Sequence, residues 1–150
     1  FDVINQTPQH TYQILTKRVE NMYIYFQNHN VPQNVWLGVT VENSKYSYRI
    51  DILKKINATI KFISFEPLID SAGKIDLTDI DWVIVGGESG YNGRPMKPEC
   101  VNEIYLQCQE KNIPFFFKQW GTWGSDGIKR NKKANGKLFQ DKIIQEYPKK

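Results

Sequence analysis

The side chains best suited to chemistry in this chain are charged or amide groups that each follow a short apolar run. Tyr12-Gln13-Ile14-Leu15 leads to Lys17 and Arg18, Val35-Trp36-Leu37-Gly38-Val39 to Thr40, Glu42 and Asn43, and Ile60-Lys61-Phe62-Ile63 to Glu66. Trp82-Val83-Ile84-Val85 leads through Gly86-Gly87 to Glu88 and Ser89, and Phe115-Phe116-Phe117 leads to Lys118 and Gln119. Brought together, three carboxylates and three or more cations would perturb each other's ionisation, like charges opposing it and opposite charges favouring it. Such a rim is a candidate site. The bland alternative is a set of capping and charge-pairing groups, in which Glu88, for example, pairs with Arg94 or caps the loop after it. Recurrence favours the site, because a purely structural chain need not charge the same end of every run.

Gly86-Gly87-Glu88-Ser89-Gly90 is the most specific local feature. Consecutive glycines after a buried strand let a ligand or a neighbouring backbone approach closely, and backbone N–H groups in such a turn can hold an anion. The segment is neither GxGxxG nor a P-loop, so it does not by itself indicate a nucleotide. Arg94 follows and could clamp a carboxylate or phosphate. Trp120 and Trp123 flank Gly121, where they could stack a base or form a lid. Cys108 falls on an apolar helical stripe and reads as core, with Cys100 incidental. His10 and His29 have no evident partner.

The elements that must position these groups are legible in the same runs. They are short, β-branched or aromatic and nearly continuous, as strands buried on both faces of a parallel sheet are. Most follow one another at intervals of about two dozen residues, leaving room for a crossover helix. Val19, Met22, Tyr23 and Phe26 form one helical stripe, and Tyr46, Ile50, Leu53 and Ile56 another, with Ser44 as N-cap. Pro98 suits a first helical turn, Val101, Ile104, Tyr105 and Cys108 form the stripe, and Asn112 with Pro114 ends it. Leu68 to Asp81 offers one turn at most. Phe1 to Asn5 reads as the end of a preceding helix, closed by Thr7-Pro8. In parallel α/β folds ligands bind at the carboxyl ends of the strands, which is where the charged groups lie. The expected fold is therefore α/β: five parallel βα units of an incomplete (βα) barrel over residues 1–121. Residues 122–150 should add a loop, a small β-hairpin at Asn135-Gly136 and a basic tail.

Composition agrees and excludes other classes. A chain of 150 residues is the length of one domain, and 40% hydrophobic with 24% charged residues is globular rather than disordered. No apolar run approaches the roughly 18–20 residues that span a bilayer, so no membrane is expected and the compartment reads as cytoplasmic. Two cysteines make neither a disulfide framework nor a cysteine-only cluster site. The net charge of +4 is uneven: residues 1–128 carry a net of −2 and residues 129–150 a net of +6. That tail reads as a solvated terminus or as a nucleic-acid contact.

Five segments in order resemble a known family. They are Thr7 to Arg18, Val35 to Asn43, Ser64 to Leu68, Ile80 to Gly90 and Pro114 to Gly121, and together they cover nearly the whole chain. The family comprises uncharacterised phage and prophage proteins related to radical-SAM enzymes, with a three-cysteine motif near the N-terminus. The resemblance implies a partial (βα) barrel whose leading region supplies the first strands and three cysteines for a [4Fe–4S] cluster. This chain matches the later part and lacks that motif, so it brings no cofactor of its own and should not be catalytic alone. By position, S-adenosylmethionine would fall on Thr40, Glu42, Glu66, Gly86, Gly87 and Glu88. Lys17, Arg18, Ser89, Arg94, Lys118 and Gln119 would face an anionic substrate.

Five strands cannot close an eight-stranded barrel. Tyr12–Leu15 would be an open edge that invites a second copy, a missing N-terminal segment or the chain's own ends. Two other functions fit the residues. One is a truncated phage binding module that contacts nucleic acid or a host protein. The other is a hydrolase using Glu42, Glu66 and Glu88 around Mg²⁺ or Mn²⁺.

Overall fold

A computed structural model describes residues 1–149. The chain runs α1 (Asp2–Gln6), β1 (Tyr12–Thr16), α2 (Val19–Phe26), β2 (Val35–Thr40), a 3₁₀ turn (Ser44–Tyr46) and α3 (Tyr48–Lys54). It continues through β3 (Ile60–Phe65), β4 (Trp82–Gly86), α4 (Pro98–Lys111), β5 (Phe115–Gln119) and α5 (Lys132–Asn135). The strands form one sheet in the order β1-β2-β3-β4-β5, every neighbouring pair is parallel, and the sheet does not close. Among the described residues no helix is long and apolar enough to cross a membrane.

Side chains alternate between the two faces of a strand, and here the faces have different partners. Val35, Leu37 and Val39 of β2, Ile63 and Phe65 of β3, Val83 and Val85 of β4, and Phe115 and Phe117 of β5 pack with the helices. Val19 and Met22 of α2, Ile50 and Leu53 of α3, and Val101, Ile104 and Cys108 of α4 meet them there. The intervening residues Trp36, Ile60, Phe62, Trp82 and Ile84, with Phe116 against them, form a separate cluster on the other, helix-free face. A sheet whose crossovers all lie on one side, in sequential strand order, is an arc of a (βα) barrel.

The β3-to-β4 connection has no helix. Leu68, Ala72, Ile75, Leu77 and Ile80 of that loop are buried in the helix-side core and take a helix's place. Ser71 Oγ donates to Glu103 Oε2 of α4 at 2.6 Å, and Gln107 Nε2 donates to Gly73 O at 3.1 Å. Helix α4 ends as its sequence indicates, with Asn112 in the left-handed conformation (φ 54°) ahead of Pro114. Ser44 is not the cap of α3: Asn43 Oδ1 accepts from Lys45 N at 3.0 Å and caps the 3₁₀ turn instead.

The C-terminal turn does not form at Asn135-Gly136; the tight antiparallel turn lies four residues later, where Phe139 and Lys142 exchange both backbone hydrogen bonds across Gln140-Asp141. Asn131 Oδ1 accepts from the backbone of Lys133 and Ala134 and nucleates α5, so Asn135-Gly136 terminates a helical turn rather than joining two strands. Among the described residues after β5 the remaining pairing consists of isolated antiparallel bridges, among them Trp123 with Lys129 and Phe139 with Lys142. A third bridge pairs Gln145 with Phe116 of β5, and Phe117 N donates to Ile144 O at 2.7 Å. The last segment thus covers the outer edge of β5, whereas β1 has no strand on its outer edge among the described residues.

Trp82 centres the helix-free cluster. Its ring lies 6.0 Å from Trp36, 5.7 Å from Phe62, 5.8 Å from Phe116 and 5.4 Å from Tyr147, and its Nε1 donates to Glu146 O at 2.8 Å. Trp82→Ala removes this centre and should lower unfolding free energy by about 3–5 kcal/mol in urea denaturation. A loss below about 1 kcal/mol would show that the cluster does not support the sheet.

Candidate functional site

The alternation that places Trp36, Phe62, Trp82 and Phe116 on the helix-free face continues past the strand ends. Counting by twos from those residues reaches Glu42, Glu66, Glu88 and Lys118; on β1, Gln13 and Leu15 lead to Lys17. Each of these charges is paired, two of the three pairs across strands and the third within the loop after β4. Lys17 Nζ lies 2.5 Å from Glu42 Oε1, Lys118 Nζ donates to Glu66 Oε2 at 2.8 Å, and Arg94 embraces Glu88. The Arg94 pairing is bidentate, Nε to Oε2 and Nη2 to Oε1 at 2.8 Å each, with the Arg94 backbone N–H also on Oε2 at 2.9 Å. These bonds hold the Glu88 carboxyl down at about 2, with a further contribution from the Lys17 charge three strands away. Arg94 is in turn held charged chiefly by its hydrogen bonds to Glu88, with a smaller contribution from Glu42.

Glu42 is the buried member. Arg49 of α3 donates Nη1 to Glu42 Oε2 at 3.0 Å and to Thr40 O at 2.7 Å, and its guanidinium lies 4.3 Å from the Tyr46 ring centroid. Both side chains are less than a tenth exposed. Thr40 is therefore present through its carbonyl, as a brace for Arg49. Sequence reasoning passed over Arg49, yet the signal existed. It sits three residues after Tyr46 and four before Leu53, so a cation falls on the buried stripe of α3.

The other sequence candidates separate. Gln119 Nε2 donates to Ser89 Oγ at 2.8 Å, which ties the end of β5 to the loop after Glu88. Arg18 stays outside: its backbone N–H donates to Thr16 Oγ1 at 2.9 Å and it makes no ion pair among the described residues. Gly86 stands beside Glu66, whose Cγ would be 3.2 Å from a Cβ at that position. Gly87 admits backbone rather than ligand. A Cβ there would sit 1.9 Å from Trp120 O, and Gly87 N already donates to Gln119 O. Gly90 N is likewise taken, by Thr122 Oγ1 at 3.0 Å, so these two N–H groups are not free for an anion.

Neither tryptophan is a free stacking surface. Trp120 is buried against Phe117 and Phe139 with Nε1 on Leu138 O, and Trp123 Nε1 donates to Gly93 O. Cys100 and Cys108 are buried in the helix-side core, and burial pushes the Cys108 thiol up to about 12. His29 stacks on Tyr25 and His10 lies edge-on to Tyr12, away from the rim.

A family model matches residues 1–148 and is described as a protein of unknown function (DUF5131). The chain belongs to this family. No curated protein and no solved structure matches it. The match takes in every element from α1 to the segment on β5, so sheet, rim and C-terminal cover are parts of one DUF5131 unit.

Two outcomes follow for the rim of this DUF5131 chain. Arg49→Gln leaves a buried carboxylate short of a partner and should cost about 3 kcal/mol or more in chemical denaturation; a cost under about 1 kcal/mol would show that Arg49 does not support the rim. The second is a titration. Because Glu88 ionises below the usual 4.5, its ion pair contributes fully above about pH 4.5 and is lost as pH falls towards about 2. In Arg94→Gln the Glu88 midpoint, followed by carboxyl ¹³C NMR, should rise towards 4.5; an unmoved midpoint contradicts the pairing.

Proposed function

We propose that the rim is one wall of a small-molecule site of the radical-SAM type, in which this chain holds S-adenosylmethionine and leaves the substrate to neighbouring groups. The observation that carries this reading is the alternation of cation and carboxylate around the rim. S-adenosylmethionine has a carboxylate, an ammonium and a sulfonium, so its site must offer both signs of charge. The resemblance to phage and prophage proteins related to radical-SAM enzymes supports the same reading.

Roles follow from what each group has left to give. Glu42 is consumed by Lys17 and Arg49, and Glu88 by Arg94. Among the described residues Glu66 pairs with Lys118 alone, through Oε2, so its Oε1 is the rim acceptor best placed for the ammonium. Lys118 is half exposed and suits the ligand carboxylate. The [4Fe–4S] cluster does not fit this chain. Its two cysteines face the helix side, and among the described residues no three His, Cys, Asp or Glu side chains stand together as metal ligands. No radical step is assigned to these residues, and the same geometry gives no support to a carboxylate–metal hydrolase. Completing such a barrel takes further strands, and the outer edge of β1 is where they would join.

Isothermal titration of the full chain with S-adenosylmethionine tests the reading. Saturable binding should weaken at least tenfold in Glu66→Gln and in Lys118→Met. Absence of binding, or binding indifferent to both changes, overturns it.

A further inference from the structure

Beside the rim lies a second feature with different chemistry. A cleft of about 460 Å³ is lined by Ser89, Tyr91, Thr122, Lys129, Arg130 and Lys132, with no carboxylate among its lining residues. Tyr91 is 88% exposed. Its turn is nevertheless fixed: Gly93 N donates to Gly90 O, Thr122 Oγ1 donates to Gly90 O at 2.8 Å, and Trp123 Nε1 donates to Gly93 O at 2.7 Å. Lys129 donates Nζ to Tyr91 O at 2.8 Å and stands 4.9 Å from the Tyr91 ring centroid. The Tyr91 ring is thus an open aromatic face on a fixed turn with an ammonium beside it.

The cations beside it are also braced. Asp126 holds Arg130 through both carboxylate oxygens, and Asn131 caps the turn that presents Lys132 and Lys133. Lys132 and Lys133 are exposed and enter no ion pair among the described residues. A flat ring flanked by several cations is the arrangement that binds a strand of nucleic acid, stacking a base and meeting successive phosphates. A duplex is a poor fit, since α5 has only four residues and offers no helix to lay in a groove.

We propose that this cleft binds single-stranded nucleic acid, with Tyr91 stacking on a base and Lys129, Lys132 and Lys133 meeting the phosphates. The strand would run towards the rim, since Ser89 borders both the cleft and Glu88. The assignment is independent of any cofactor at the rim.

Fluorescence anisotropy with a labelled oligothymidylate of about 12 nucleotides tests it on the full chain. Log affinity should fall against log salt with a slope of about −2, as three phosphate contacts on a single strand require. Tyr91→Ala should weaken binding at least fivefold with that slope kept, and the double change Lys132→Gln with Lys133→Gln should flatten it. All three side chains lie on the surface, so circular dichroism should be unchanged. No binding at low salt, full affinity in Tyr91→Ala, or equal affinity for inorganic polyphosphate or phosphatidylserine vesicles would each overturn the proposal.

Discussion

The fold and its rim both depend on the two-residue alternation of a β-strand, applied five times in one direction. Because neighbouring strands are parallel, Trp36 aligns with Ile60 and Phe62 with Trp82, and the two-residue period then carries Glu42, Glu66 and Glu88 to one end of one face, Glu88 one period beyond the position level with Glu66. A one-residue slip in any strand would turn its charged terminus into the helix-side core and an aromatic residue out of its cluster. The aromatic contacts around Trp82 therefore also fix where the charges stand.

The second constraint is the crossing of the strand ends of β4 and β5. A Cβ on Gly87 would sit 1.9 Å from Trp120 O and one on Gly121 2.3 Å from Glu88 O, and Thr122 N donates to Glu88 O at 2.8 Å. This contact aims Glu88 and sets the turn that carries Tyr91. A rim of exposed ion pairs contributes little to stability by itself. The buried Glu42–Arg49 pair is different, since its net worth depends on both partners staying in place.

Much of the architecture is readable from residue order. Continuous β-branched and aromatic runs betray strands covered on both faces, and Pro98 and Asn112 bracket α4 by backbone preference alone. What escapes lies in tertiary context. Asn135-Gly136 has the composition of a hairpin turn, but Asn131 caps a helical turn ahead of it. Trp120 sits among polar residues in sequence and is buried because Phe117 and Phe139 close over it. Glu42, Glu66 and Glu88 could be grouped from their positions after the runs, whereas Arg49, on a helix, could be joined to them only through space. The split of Gly86-Gly87 between a side-chain neighbour and a backbone neighbour is invisible without coordinates.

The uncovered side of β1 limits how copies of this chain could meet. A twofold axis perpendicular to the sheet would pair β1 with β1 antiparallel, and the two charged rims would then point in opposite directions. Prolonging the arc towards a closed ring instead demands a strand running the same way, which a symmetric homodimer of this kind does not deliver. Symmetric self-pairing and ring completion thus compete for the same row of hydrogen-bonding groups, and either one shuts out the other.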